Sequence, residues 1–380
     1  MRASDDDADY LARIDDFARE VVAPRAARWE ADRRHCVDGL REAGRRGLIG
    51  IEISKELGGL GLTFRTKCAA AQRLAREDFG FALALINTHN ATRRIASGGS
   101  RSLLERVLPG LLDGTRIGST AITEPGGGCD VSGMTTCAQR TADGWHVTGA
   151  KAWLVNAVSA DTFVVYAKTD PSEGIAGLTG LVVEAERGGV ERGGTGDSAV
   201  AHAIGAGSIR LDHHAAQDAV IAEPPGVLRT LMHELNGARA YVAAMCVGMV
   251  EAAIERAARH GEERRTFGVP LHDHQGWRWA LAQAATDVAA ARALTDEASA
   301  VVDAGGDARV LAAQAKLFAA RMAERHIAAL GQAMGARGLS PDEPFTRFQA
   351  AARIANIVDG TAEMLLERIA VSLRRPTTEQ

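Results

Sequence analysis

The hydrophobic period changes twice along this chain, near residue 119 and again after Pro224-Pro225-Gly226. Up to about 118, apolar residues recur at three- and four-residue spacing, as in Tyr10-Leu11-Ala12-Arg13-Ile14-Asp15-Asp16-Phe17, which predicts amphipathic helices. Leu103 to Leu112 carries another such stripe, and an Ala- and Leu-rich pattern over about 64 to 95 reads as helix. Between the two changes the runs are short and β-rich. Trp145–Gly149, Thr162–Lys168, Gly177–Glu184 and Ser208–Asp212 read as strands, separated by turns such as Ala142-Asp143-Gly144. Beyond 227 the helical period returns, over about 227 to 262, 273 to 304, 307 to 335 and 345 to 373, broken at Gly305-Gly306 and Gly335–Gly338. A chain patterned this way is mainly α with a central β domain: helical domain 1–118, β domain 119–226, helical bundle 227–380.

Apolar residues at 46% supply a sizeable core, and a formal charge of −4 leaves no basic excess to neutralise a phosphate backbone. Nucleic acid is therefore excluded as the expected partner. No apolar run approaches the roughly 18 to 20 residues of a membrane span, so no membrane association is expected. The start, Met1-Arg2-Ala3-Ser4-Asp5-Asp6-Asp7, has no apolar h-region. The cysteines, 5 in number and without a CxxC pair, form neither a disulfide framework nor a zinc set. They fit a reducing, cytoplasmic setting. His213-His214, and His272 with His274, lack the carboxylate or Cys spacing of a metal site, and none is expected.

Two segments stand out chemically. In Ile122-Thr123-Glu124-Pro125-Gly126-Gly127-Gly128-Cys129-Asp130 three successive glycines expose backbone N–H groups to anything that approaches closely. An ordinary interdomain loop would read the same way. In Lys151-Ala152-Trp153-Leu154-Val155-Asn156 a tryptophan stands in a chain with only 4% aromatics, as a plate for a flat cofactor or as filling for the β core.

Together these segments resemble the middle-domain signature of the acyl-CoA dehydrogenase family, flavoproteins with a helical domain, a β-barrel-like domain and a C-terminal four-helix bundle. Arg264-Arg265-Thr266-Phe267-Gly268 with Gln275, Gln332-Ala333-Met334-Gly335-Ala336-Arg337-Gly338, and Val358-Asp359-Gly360-Thr361-Ala362-Glu363 extend the resemblance in the family's order. The resemblance implies FAD as cofactor. Ile122, Thr123, Gly128 and Cys129 would line its ring and pyrophosphate, Trp153 would lie against the ring, and Val155 would face the N5 edge. Arg264 and Thr266 would reach FAD held mainly by a neighbouring subunit of a homodimer or homotetramer, and Gln332 and Gly335 would serve that shared site. Thr361 would hold the nucleotide end, and Phe267, Gln275 and Glu363 belong to the same cofactor-binding motifs.

The implied reaction is α,β-dehydrogenation of an acyl thioester, carried on CoA or an acyl carrier protein, with an electron-transfer flavoprotein as a further partner. It needs a base at Cα. The family's usual Glu is here Asp359, which reaches about 1.5 Å less far. The alternative base position holds Ala238, next to Arg239, which would position substrate or base. Val155 stands for a usual Thr, Cys129 for Ser, and Ala336 for Gly. These departures point to a specialised substrate rather than a straight-chain fatty one. They leave two alternatives open: a flavin-dependent monooxygenase on the same fold, and a structural subunit with a decayed site. Asp359 as a mere helix cap is the corresponding bland reading.

Overall fold

A computed structural model describes residues 5–194 and 200–373. Contacts divide the chain into two compact units, and the helical N-terminal segment contributes to both. In chain order the helices are α1 (Asp5–Phe17), α2 (Ala23–Ala31), α3 (Val37–Arg45), α4 (Phe64–Ala75), α5 (Phe79–Gly98) and α6 (Arg101–Asp113). The strands are β1 (Gly118–Ala121), β2 (Cys137–Arg140), β3 (Gly144–Leu154), β4 (Thr162–Lys168), β5 (Leu178–Glu184), β6 (Val190–Gly194), β7 (Gly207–Ala216) and β8 (Val220–Ala222). Then come α7 (Val227–Glu263), a hairpin of β9 (Arg265–Thr266) and β10 (Val269–Pro270), α8 (Gln275–Asp303), α9 (Arg309–Ala333), α10 (Phe345–Ala355) and α11 (Ala362–Ser372).

The first unit comprises, of the described residues, 5–13, 28–63, 80–194 and 200–232 and holds the sheet, ordered β6-β7-β3-β2-β4-β5-β8 with β1 parallel to β4. Strand β4 explains the layering. Alternate side chains leave opposite faces, so Phe163, Val165 and Ala167 join Val147, Leu181 and Leu211 in one core. Val164 and Tyr166 point the other way, into a second core with Ala91 and Ile95 of α5 and Leu103, Val107 and Leu111 of α6. A strand covered on both faces reads as continuously apolar. By contrast β7 alternates buried and non-buried residues, because one of its faces meets solvent.

The second unit comprises, of the described residues, 14–27, 64–79 and 233–373. Its core is largely alanine, with Ala312, Ala315, Ala319 and Ala323 of α9 all buried. Small side chains let helices approach closely. At Gly248 a Cβ would lie 2.1 Å from the carbonyl oxygen of Gln72, so only glycine allows α4 to cross α7 there. Glu251 on the same face binds Arg76 and Arg292. Helix α7 is long and apolar enough to cross a membrane, but 89% of its most apolar window is buried within the fold.

Two helical stretches are broken where the sequence pattern ran on. The 64–95 pattern is two helices, α4 and α5, whose apolar faces continue the same composition across the turn at 76–78. The 345–373 segment is also two, α10 and α11, separated by a turn in which Asp359 (φ +54°) and Gly360 (φ +105°) are left-handed.

Candidate functional site

In the first unit, the rim is built on a buried ion pair. Glu124 lies in the turn after β1 and accepts from Lys151 Nζ (3.0 Å), from the Thr135 N–H (2.8 Å) and hydroxyl (2.7 Å), and from the Thr136 N–H (2.9 Å) and hydroxyl. Burial works against ionisation of Glu124, but the hydrogen bonds from Thr136 and Thr135 override it and hold the carboxyl down at about 2. Lys151 is fully buried and donates also to the Ile122 carbonyl at 3.0 Å. The Ala152 N–H donates to Thr123 O at 2.9 Å. Strand β3 and the Gly-rich segment are thereby laced side by side, bringing Ile122, Thr123, Gly128, Cys129, Trp153 and Val155 to one rim.

Trp153 does not fill the β core. Between Lys151 and Leu154 the β3–β7 register shifts by one residue, a bulge, and Trp153 takes φ +57° with 71% of its surface exposed. The turn behind it is anchored by Asn156, wholly buried, whose Nδ2 donates to Ala84 O, Thr88 Oγ1 and Gly118 O. Ser119 Oγ donates to Val155 O at 2.7 Å. Beyond Gly126 and Gly127 a Cβ would meet nothing within 4 Å, and Cys129 is exposed.

In the second unit, the turn between α10 and α11 carries Asp359. Arg239 of α7 is buried, donates from Nη1 to Asn236 Oδ1 (3.0 Å) and from Nε to the Asp359 carbonyl (3.3 Å). Burial, then the neighbouring Arg368, pull its guanidinium down to about 10, with Asp359 pulling the other way. The helix cap is Thr361, whose side chain accepts from the Met364 N–H at 3.5 Å. Asp359 is therefore not the N-cap. Glu363 is exposed in the first turn of α11, where a carboxylate suits the helix N-terminus.

A second cluster lies at the far end of α7. Arg264 follows the helix, exposed, and Thr266 Oγ1 pairs with His274 Nε2 at 3.1 Å. Phe267 (φ +52°) and Gly268 (φ +87°) form the two-residue turn of the β9–β10 hairpin, the left-handed pair of a type I′ turn. Phe267 stands 98% exposed at its tip. Trp277 Nε1 donates to Ala333 O (3.3 Å), tying the start of α8, with exposed Gln275, to the end of α9, with exposed Gln332 and with Gly335 at φ +59°.

Family models for the N-terminal, middle and C-terminal domains of acyl-CoA dehydrogenase match residues 4–115, 119–213 and 228–373. The chain belongs to the acyl-CoA dehydrogenase family. It is 28% identical to the mitochondrial short-chain specific acyl-CoA dehydrogenase of Bos taurus over 94% of its length and 87% of that protein's. It is 29% identical to the glutaryl-CoA dehydrogenase of Desulfococcus multivorans, covering 92% of each chain. Butyryl-CoA dehydrogenase from Megasphaera elsdenii superposes with a TM-score of 0.92 at 29% identity, covering 99% of this chain and 100% of that one.

As an acyl-CoA dehydrogenase family member the chain is an FAD-dependent oxidoreductase, with the family's helical, β and bundle architecture. Its rim fits that cofactor: an exposed indole face, open space over adjacent glycines, and a hydroxyl at Thr123, all held by buried bonds. Among the described residues no group of His, Cys, Asp and Glu could hold a metal. Three residues of the site's support escaped the sequence reading: Glu124, Lys151 and Lys316. Lys316 donates from Nζ to the Gly360 carbonyl and is 1% exposed. A signal existed, since Lys316 shares the i, i+3, i+4 spacing of the buried alanines 312, 313, 319 and 320, and a lysine on an apolar face needs a partner.

Proposed function

We propose that this chain catalyses α,β-dehydrogenation of an acyl thioester other than a straight-chain fatty one, with Asp359 as the base. The observation that carries this reading is that Asp359 is half-buried and is not the helix cap: it sits on a left-handed turn whose backbone is held by a buried arginine. A carboxylate held this way has a fixed origin, which removal of a proton from Cα requires. FAD, when bound, supplies the acceptor for the hydride that leaves Cβ. The Asp359 carboxylate takes the Cα proton and becomes a carboxylic acid, and the thioester, having lost that proton and a hydride from Cβ, leaves as the enoyl thioester. Trp153, Thr123, Gly128 and Cys129 are assigned to hold the ring and pyrophosphate, with Ile122 and Val155 alongside; Thr361 and Glu363 are assigned to the nucleotide end. A base one methylene shorter than Glu requires its substrate to approach closer, which supports a substrate of different shape from a plain fatty chain.

The Arg264 cluster serves FAD in a second copy of the chain. From Arg239 to the end of α7 at Glu263 the helix runs about 36 Å at 1.5 Å per residue, farther than one extended dinucleotide spans. That separation supports assigning Arg264, Thr266, Phe267, Gln275, Gln332 and Gly335, as the family resemblance implies, to a neighbour's cofactor in a homodimer or homotetramer. Electrons leave to an electron-transfer flavoprotein. The free cysteines, with Cys36, Cys68 and Cys246 buried, support a reducing, cytoplasmic setting.

The test is the visible spectrum of the anaerobic purified protein titrated with butyryl-CoA, glutaryl-CoA, branched and hydroxylated acyl-CoAs, and the same acyl groups on an acyl carrier protein. Bleaching of the oxidised-flavin band by one of them, lost in Asp359→Asn, is the expected result. A flavin that no thioester bleaches but NAD(P)H does would replace this reading with a monooxygenase. Absence of retained flavin would replace it with a structural subunit.

A further inference from the structure

A lysine buried to 1% exposure in an alanine core carries a cost that a methionine of similar length would avoid. Lys316 sits midway along α9, and its ammonium reaches across to the turn between α10 and α11, donating to the carbonyl of Gly360. The preceding carbonyl, that of Asp359, takes Arg239 from α7. Two consecutive left-handed residues thus have their carbonyls held by two buried cations from two different helices. A Cβ at Gly360 would make only ordinary contact, 3.5 Å from Arg239 Nη2, but φ +105° is backbone that favours glycine. The charged or titratable groups that Lys316 feels are Asp359 on the turn and Arg239 and Cys246 on α7, and Arg368 on α11 bears on Arg239. No other carboxylate among these competes for the two cations.

Resting on the reading of Asp359 as base, we propose that Lys316 is a positioning residue for that base: it pins the peptide on the C-terminal side of Asp359, as Arg239 pins the carbonyl of Asp359 itself, so that a carboxylate on a short side chain keeps one origin and stays ionised. The charge matters as well as the bond. A cation beside a carboxylate favours its ionised form, the form that accepts a proton. Burial pulls the Lys316 ammonium down to about 8, opposed by Asp359, so it remains charged at neutral pH.

The test uses FAD-loaded Lys316→Met, Lys316→Gln, Lys316→Arg and Asp359→Asn, with the acyl-CoA or carrier-linked thioester of the panel that bleaches the parent flavin. In Lys316→Met, kcat is expected to fall about 10- to 100-fold with KM within about threefold. The acidic limb of the kcat/KM profile is expected to move up by about one pH unit as the carboxylate loses a cation. Backbone amides of 357–362 are expected to exchange hydrogen at least about tenfold faster, with the rest of α9 unchanged. Lys316→Arg should leave the acidic limb in place. Lys316→Gln, which keeps a donor without the charge, should move the limb while slowing the loop's exchange back toward the parent rate.

Lost kcat with an unmoved limb and unchanged loop exchange means that Lys316 merely packs, and overturns the proposal. So does unchanged kcat in Lys316→Met while Asp359→Asn is inactive, in which case the base reading survives alone. If Asp359→Asn turns over normally, or no thioester bleaches the flavin, base and clamp fall together. Should Lys316→Met not fold, the limb in Lys316→Gln decides.

Discussion

Glu124 and Lys151 show how a single buried pair can hold the candidate cofactor rim in place. Removing one partner leaves a buried charge unpaired, at about 3–5 kcal/mol. Glu124→Gln and Lys151→Met are each expected to lower the thermal midpoint and to release FAD during gel filtration, whereas Trp153→Ala should release FAD with the midpoint of the flavin-free protein unchanged. The pH dependence has a definite sign. A carboxyl whose folded value is about 2 stabilises the fold above its unfolded value of about 4.3, and that stability is lost as pH falls toward 2. The stability difference between parent and Glu124→Gln, from urea titrations, should therefore shrink between pH 4.5 and 2. At Asp359, substitution by Asn is expected to lower turnover by about a thousandfold or more with flavin retained. Asp359→Glu keeps the left-handed backbone and adds reach; turnover within about tenfold of the parent is expected, with a shifted preference across the thioester panel.

At the level of elements, the turns decide more than the helices and strands. A one-residue bulge sends Trp153 out of the core, and a left-handed pair splits one apolar run into α10 and α11. The linker between α2 and α3 is tied to the turn after β3 by His35 Nε2 and Asn156 Oδ1 at 3.0 Å. Burial pulls His35 down to about 4 against Asn156 and Asp38, so the folded ring stays neutral where the unfolded one takes a proton. Folding stability should fall between pH 6.5 and 4 and do so less in His35→Gln, measured by urea denaturation across that range. Helices were legible because their period repeats over many residues: α6 and α7 begin within about two residues of where their patterns start. Strands β1, β2, β6 and β8 were not, since each is 3 to 5 residues long and exists through its neighbours' hydrogen bonds.

For the whole molecule, the proposed sharing of FAD makes assembly part of the site. Trp153→Ala and Arg264→Ala are each expected to lose FAD when expressed alone. In mixed oligomers made by coexpression, roughly a quarter of the sites would combine the intact rim of one chain with the intact Arg264 cluster of another, and flavin content should recover to about that fraction. No recovery would mean that Arg264 serves its own chain's cofactor, or none.

The sequence by itself determined the layout, because hydrophobic period is a local property, and its short motifs suggested a candidate rim. Through the family resemblance its motifs pointed to Trp153, Thr123, Asp359, Arg239 and Arg264 as candidates. Only the tertiary structure took Trp153 out of the core and gave the cap of α11 to Thr361 rather than Asp359, since core or rim, cap or turn differ by the backbone of one residue. It alone brought Lys316 to Gly360 and Lys151 to Glu124, pairs separated by 44 and 27 residues. A buried cation advertises in the sequence that it needs a partner; which partner is a matter of how the helices and strands pack.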